Sequence, residues 1–458
     1  MDSLTVPVND DVLNINTKYE IDESIDSLQY FRYTPQTQDN NNGDGSSIPI
    51  DINVENIYTL PSKSYIRIKG QIRRADNNNV YDATDEITLI NNAMMYLFSG
   101  IEYALNDTSI ERISKNLGQI SSMMLYLSQP DDFNTSEGLR YCCCKDTSTH
   151  ASSIEFEESG NIAPAAHYRP TKNPQYNLGF DTRKSFLFSS DPRGKFSFSI
   201  PLSHIFGFVE YKRVIYGMKH TLTFTRCGDN DALYHAAGVT NGKVDITEIS
   251  WLMPQLKIPP KYLIGLRSLI EHKEAIPLMF RARTSNSIPV TQTDEFNWRL
   301  SVKGGVEKPR WVIIAFQTDK SNNQTANPAL FNHCNLKSAH ITLNSATYPE
   351  IQLPNNFASN DYDMLYDMFV DFKNEYYGMD SLVGGTQVSF PTFKTLFPIL
   401  VFDVRKQNEQ LQTGVVDMQA QFYFNEVVPA NTRAFALVIS DRFFKLSSDG
   451  KNMSVISL

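Results

Sequence analysis

Along much of this chain, apolar and polar residues alternate one by one. From Ser64 to Arg73, Ile66, Ile68 and Ile72 fall on one face, and Arg67, Lys69, Gln71 and Arg73 on the other. Successive side chains of a strand point to opposite sides, so a period of two predicts a half-buried strand. The clearest instance lies near the end, where Val416, Met418, Ala420, Phe422 and Phe424 alternate with Asp417, Gln419, Gln421, Tyr423 and Asn425. Phe196 to Leu202, Leu222 to Arg226, Trp311 to Thr318 and Phe435 to Ser440 read similarly. Many short strands separated by polar turns predict a sandwich or barrel rather than alternating βαβ units.

Two stretches carry helical spacing instead. From Ile110 to Met124 the apolar residues are Ile110, Ile113, Leu117, Ile120 and Met124; from Leu365 to Tyr376 they are Leu365, Phe369, Phe372 and Tyr376. Each set forms one apolar stripe. The two helices mark an internal repeat. In the first half, Leu97-Phe98, Leu105-Asn106 and the helix are followed by Phe196 to Leu202 and Val214 to Arg226. In the second, Leu330-Phe331, Leu343-Asn344 and the helix are followed by Phe393 to Leu400 and Val415 to Glu426. The period far exceeds that of solenoid repeats, so the pattern predicts two similar β-domains in tandem, each with a helix inserted in one connection.

The expected organisation is a polar segment over 1–48, a first β-domain over 49–250, a stiff proline-rich linker over 251–262, a second β-domain over 263–447 and a tail over 448–458. Pro254, Pro259 and Pro260 motivate the linker, because proline is disfavoured in central strands and helix interiors. The polar stretches Ser128 to Arg183 and Gly228 to Gly242 read as long surface loops.

Composition narrows the function. Hydrophobic residues make up 41% of the 458, enough for sizeable cores, and 28 Phe with 22 Tyr suit strands. The net charge is -9 and the pI about 5.5. A nucleic-acid binder shows a basic stripe or tail that neutralises phosphates. Here the first 30 residues hold only Lys18 against seven acidic residues, and Lys212-Arg213 and Lys308-Pro309-Arg310 read as solvated surface charge. No direct nucleic-acid binding is expected. Five cysteines, three of them consecutive at Cys142-Cys143-Cys144, do not form a secreted disulfide framework. With no signal peptide and no apolar run near the ~20 residues that span a membrane, a reducing, soluble compartment is expected.

Catalytic motifs are missing. Gly238 to Lys243 lacks the P-loop spacing, and HExxH, GxSxG, GxGxxG and CxxC do not occur. Eight histidines give no HxH pair of the cupin kind. His333-Cys334 with His340 is the nearest metal-like group, and its strand and turn surroundings point to packing. Cys142-Cys143-Cys144 with His150 could pair a nucleophile with a base, but the polar setting reads as a surface loop with incidental thiols. Trp298 and Trp311 could stack on sugars, yet each lies in an apolar alternating strand and reads as core. No catalytic, cofactor-binding or metal-ligating residue is expected.

Several strings in order resemble one family. These are Ile200-Pro201-Leu202-Ser203 continuing to Ile205-Phe206-Gly207-Phe208; Trp251 and the prolines after it; Trp298, then Pro309-Arg310-Trp311 through Thr318; Leu343-Asn344 with Tyr348-Pro349; and Phe402-Asp403-Val404-Arg405. Together, over about residues 48 to 445, they resemble the double jelly-roll major capsid proteins of Maverick/Polinton elements, adintoviruses and related DNA viruses. The resemblance implies an all-β fold of two tandem eight-stranded jelly rolls with short inserted helices. It implies homotrimers of pseudo-hexagonal outline that pave an icosahedral shell around double-stranded DNA. Its partners would be copies of itself, neighbouring capsomers, and penton and minor capsid proteins; its place would be the virion, after synthesis in the host nucleus or cytoplasm. Two alternatives remain: a carbohydrate-binding or carbohydrate-cleaving β-sandwich protein, and a domesticated, element-derived copy that no longer forms virions.

Overall fold

A computed structural model of the chain describes residues 24–37, 42–53, 57–157, 171–273, 275–301, 308–344, 346–351, 354–379, 385–406, 417–448 and 453–457. Lys18 and Val416 lie outside the described residues. The first half contains β1 (Ser27–Tyr33), β2 (Ser47–Ile52), β3 (Tyr58–Thr59), β4 (Tyr65–Arg74), β5 (Ile87–Leu89), β6 (Phe98–Leu105) and β7 (Thr108–Ile113). After these come β8 (Phe156–Glu157), β9 (Thr171–Lys172), β10 (Lys195–Pro201), β11 (Ile215–Tyr216), β12 (His220–Arg226), β13 (Leu233–His235) and β14 (Gly242–Lys257). Among them lie helices α1 (Ala93–Tyr96), α2 (Leu117–Ser128) and α3 (Leu178–Phe188).

One sheet runs β1-β14-β4-β10, prolonged by the short pair β3 and β11; a second runs β2-β12-β6-β7. Counting the eight long strands in chain order, the sheets read 1-8-3-6 and 2-7-4-5. After α4 (Pro260–Glu271), the second half supplies β15 (Ile276–Pro289), β16 (Glu295–Leu300), β17 (Lys308–Thr318), β18 (Leu336–Leu343) and β19 (Ala346–Tyr348). Then come α5 (Asp363–Tyr377), α6 (Phe390–Thr395), β20 (Leu400–Asp403), β21 (Met418–Phe424), β22 (Thr432–Ser448) and β23 (Met453–Ser457). Its sheets, β15-β22-β17-β20 and β16-β21-β18-β19, again read 1-8-3-6 and 2-7-4-5. That order is the jelly roll, with strands paired across Greek-key connections. Both α2 and α5 fall between the fifth and sixth strands of their rolls, which is the expected repeat.

The alternating stretches form the strands because one face of each meets the core. β12 and β21 alternate buried and half-buried along their whole lengths, with Leu222, Phe224, Ala420 and Phe422 fully buried. One hydrophobic cluster runs through both rolls.

Several expectations fail in instructive ways. Ile110 and Ile113 lie in strand β7, and the helix starts only at Leu117. Asn106 and Asp107, both at positive φ, close a tight hairpin that returns the chain alongside β6. Phe393 to Leu400 is the end of α6 and a turn, not a strand, and the sixth strand of the second roll begins at Leu400. Residues 251–257 are no linker but the end of β14, paired with β1. The Pro254 carbonyl accepts from the Leu60 N–H at 3.1 Å, where the neighbour of β14 changes from β4 to β3. The missing proline donor therefore falls at a break in the ladder. Pro260 opens α4, since a first-turn proline costs no helical hydrogen bond. The polar N-terminal segment contributes edge strand β1, and the tail contributes β23, paired with β22. Ser128 to Arg183 is not all surface, for Cys142, Cys143, Cys144 and Asp146 are buried and α3 begins within it. Gly228 to Gly242 likewise contains β13.

Candidate functional site: the seam between the rolls

Edge strands carry unpaired N–H groups, and a buried N–H without a partner is costly. The rolls meet where β7, an edge of the first, approaches β15, an edge of the second. Glu111, fully buried on β7, satisfies the donors there. Its carboxylate accepts from the backbone N–H of Phe208 at 2.7 Å, of Gly207 at 3.2 Å and of Arg283, on β15, at 2.7 Å. Burial pushes the Glu111 carboxyl up from its ordinary range, while the Arg283 guanidinium and the Phe208 and Arg283 N–H groups hold it back. Arg283 reaches back to donate to the carbonyls of His204 (3.0 Å) and Ile205 (2.9 Å), and Arg442 donates to that of Ile110 (2.6 Å).

Around this pin the contacts alternate between polar and apolar. Arg281 donates to Glu210 at 2.7 Å, the Tyr376 hydroxyl donates to the other Glu210 oxygen at 2.6 Å, and the Arg281 guanidinium lies 3.6 Å from the Tyr376 ring centre. Phe208 meets Phe280 edge-on at 5.6 Å. Gly207 is required by close approach, because a Cβ there would lie 1.8 Å from the carbonyl oxygen of Arg281. The string Ile205-Phe206-Gly207-Phe208 is thus part of the seam.

A second pin sits farther along. Arg183 and Asp146 form a fully buried ion pair at 2.7 Å. The second Asp146 oxygen accepts from Asn327, in the other half of the chain, at 3.0 Å. Gln324 clamps Gly242 in both directions, accepting from its N–H at 2.7 Å and donating to its carbonyl at 2.8 Å. With their donors and acceptors matched, such groups fix geometry more than they add stability.

Two clefts open along the seam. One, of about 490 Å³, is lined by Ser121, Met124, Gln129, Ser203, His204 and Arg283. The other, of about 700 Å³, is lined in part by Lys63, Lys212, Glu210, Arg281 and Tyr377. His204 is pushed down to about 4 by burial and by Arg283. In the first cleft the Ser121 hydroxyl is bonded to Asn92, and no hydrogen bond links a serine to His204 among the described residues.

The groups singled out from sequence do not assemble a reaction centre among the described residues. Cys142 is pushed up to about 12 by burial, and Cys143 and Cys144 are also raised; a thiol held protonated is a poor nucleophile. His150 is exposed and bonded to Ser148. His333 stacks on Phe357 at 4.5 Å and accepts from the Asn335 N–H, while His340 bonds Gln421 at 2.7 Å. No cluster of three or more His, Cys, Asp or Glu fit to hold a metal occurs among the described residues. Trp298 and Trp311 are buried, which withdraws them as a platform for sugars. Arg310 pairs with Asp441 at 2.6 Å, whereas Lys212 and Arg213 are exposed. Sequence reasoning missed Glu111 and the Asp146–Arg183 pair. The one trace of Glu111 was a lone carboxylate between Ile110 and Ile113.

Two jelly rolls of the same topology, joined edge to edge by buried polar pins, define a double jelly-roll building block. The chain belongs to the double jelly-roll-like domain family, whose model matches residues 171–444. Its fold is similar to that of a chain in the cryo-electron microscopy structure of the Sputnik virophage, at TM-score 0.58 and 10% identity over 99% of this chain and 93% of that one. It is also similar to the Faustovirus major capsid protein (TM-score 0.54, 9% identity, 94% and 92% covered) and the mavirus major capsid protein (0.52, 13%, 97% and 92%). No curated protein sequence matches it.

Proposed function

We propose that this protein is the major capsid protein of an icosahedral, DNA-virus-type shell, assembling as a homotrimer with six rolls in pseudo-hexagonal outline. The observation that carries the proposal is the seam. Two rolls of one topology are joined through the Glu111 carboxylate and the Asp146–Arg183 ion pair, both buried, as a shell tile requires and as two separately mobile domains do not. The similarity in fold to proteins named as major capsid proteins supports it over nearly the whole chain. The role is structural rather than catalytic, the place of action is the virion, and the partners are other copies with penton and minor capsid proteins. Obligate assemblies of this kind bury about 2,000 Å² or more per interface. Native mass measurement over a concentration series tests the proposal, with a trimer as the expected species. A monomer at tens of micromolar under all conditions would count against it.

A further inference from the structure

We infer that the open sheet face of the first roll docks onto helix α5 of a second copy of this chain. The inference rests on the shell-tile reading and names the surfaces such a tile would use. The outer face of the sheet β1-β14-β4-β10 gathers Arg32, Arg67, Lys69, Arg73, Lys195 and Lys243 from four strands. Directly opposed residues of antiparallel strands share a face. Arg73 lies opposite Lys243, Gln71 opposite Lys195, Lys69 opposite Glu248, and Arg67 opposite Ser250; Arg32 and Tyr65 both lie opposite Leu252. The reverse side sends Ile66, Ile68 and Ile72 into the core. Among the described residues these six cations meet Asp245 and Glu248, a balance of +4 on this face in a chain whose net charge is -9. Glu248 is shared by Arg32 and Lys69 at 2.7 and 2.9 Å, and Asp245 lies 3.4 Å from Arg73. Arg67 and Lys195 have no carboxylate partner among the described residues.

The second roll carries the complement. Asp363, Asp367, Asp371 and Glu375 recur every fourth residue on α5, all exposed, while Leu365, Phe369, Phe372 and Tyr376 are buried on its other side. Glu375 meets Arg405 at 2.7 Å; the three aspartates have no cationic partner among the described residues. Burial, with Asp367 and Glu375 as like-charged neighbours, pushes the Asp371 carboxyl up, so an approaching cation would relieve crowding. The pitches agree: about 6 Å for four residues of helix and about 6.6–6.8 Å for two residues of strand. Because the surfaces lie on different rolls, the contact is head to tail, first roll on second roll. Contacts of that type close into rings or propagate, and opposed charge fixes register and speeds encounter.

Charge reversal tests this, read by sedimentation of the full chain over a concentration series at about 0.1 M salt, where exposed charges still act over ~10 Å. Arg67→Glu with Lys195→Glu, or Asp367→Lys with Asp371→Lys, should each raise the dissociation constant of self-association by about tenfold or more. All four substitutions in one chain should restore it, since unlike charges again face each other. An unchanged thermal midpoint confirms that each variant is folded. If both reversed pairs associate like the unmodified chain, or the fourfold variant stays dissociated, the docking is overturned while the shell tile stands. If the unmodified chain never associates, the tile fails along with the docking. If Arg67→Glu with Lys195→Glu abolishes binding to a DNA duplex but leaves self-association intact, the face serves nucleic acid and the docking is overturned.

Discussion

Helices α2 and α5 occupy the same connection in the two rolls, yet they are built differently. α2 carries no charged residue, and every position from Leu117 to Leu127 is buried. It touches α1 and β6 of its own roll and β22 and α5 of the other. α5 lies over the outer face of the second roll, placing Phe372 and Tyr376 against Trp311 at 5.9 and 5.1 Å and leaving its acidic ridge in solvent. A helix without a polar stripe has to be enclosed, and the junction of the rolls encloses α2. Among the described residues no α-helix packs over the outer sheet face of the first roll, and β4 alternates apolar and charged residues. The corresponding strands of the second roll are covered on both sides. The alternation expected over Trp311 to Thr318 and Phe435 to Ser440 does not hold: Val312 to Phe316 and Ala434 to Ile439 are buried without a break, the continuous apolar run of a strand with no solvent face. Which face of a roll is open can thus be read from whether its strands alternate.

The largest test concerns what the rolls share. Phe422 on β21 and Phe224 on β12 are both seventh strands' inward residues, and both are fully buried. Phe422→Asp and Phe224→Asp should each cost about 5 kcal/mol or more, because a large apolar contact is lost and an unpaired charge is buried. Tyr423→Asp, on the half-buried opposite face, should cost far less. Chemical denaturation gives the ranking, and an unchanged midpoint for either Phe variant would show the face assignment to be wrong.

The seam comes next. Asp146→Ala leaves the Arg183 guanidinium buried without its carboxylate, so a loss of about 3–5 kcal/mol is expected. Adding Arg183→Met should recover part of that loss. A purely additive double variant would mean that the two residues act independently.

Acid should separate the rolls, since the two most strongly depressed histidines belong to the first. Burial pushes His220, held between Thr59 at 2.9 Å and Tyr103 at 2.7 Å, down to about 3, and His204 down to about 4. An unfolded chain takes up these protons near pH 6.5, which the folded protein refuses until its lower values are reached. The unfolded state therefore binds more protons between those limits, and stability falls as pH drops below 6.5. Each group should contribute a loss of roughly 3 kcal/mol by pH 4. His220→Gln should flatten the pH dependence of the melting midpoint even if it lowers stability at pH 7. An unaltered slope would remove His220 from the account.

The smallest expected effect is at Gly207. Gly207→Ala forces the Arg281 backbone aside and should cost about 1–3 kcal/mol. Its signature is a single calorimetric transition broadening or splitting as the rolls uncouple; a sharp single transition at the same midpoint would refute a coupling role.

Much of the two-roll fold was legible because its information is local. Alternation over Ser64 to Arg73 and over Met418 to Phe424, and the Leu105-Asn106 turn, each lie within a few residues. The seam was not, because its partners are far apart in the chain. Glu111 finds its donors 96, 97 and 172 residues away. Pro254 misled for a related reason: whether a proline breaks a strand depends on what faces its nitrogen, and that is set by the neighbouring strand. The basic face escaped notice because only Arg67, Lys69 and Arg73 share a strand, and pairing brings the other three cations beside them.

The central claim, that two rolls act as one self-associating tile, is tested most directly by cryo-electron microscopy of the purified protein at rising concentration. Threefold particles with six lobes are expected, in which the two rolls of each copy hold one fixed angle. Isolated two-lobed particles at every concentration, with the angle between lobes varying from particle to particle, would contradict it.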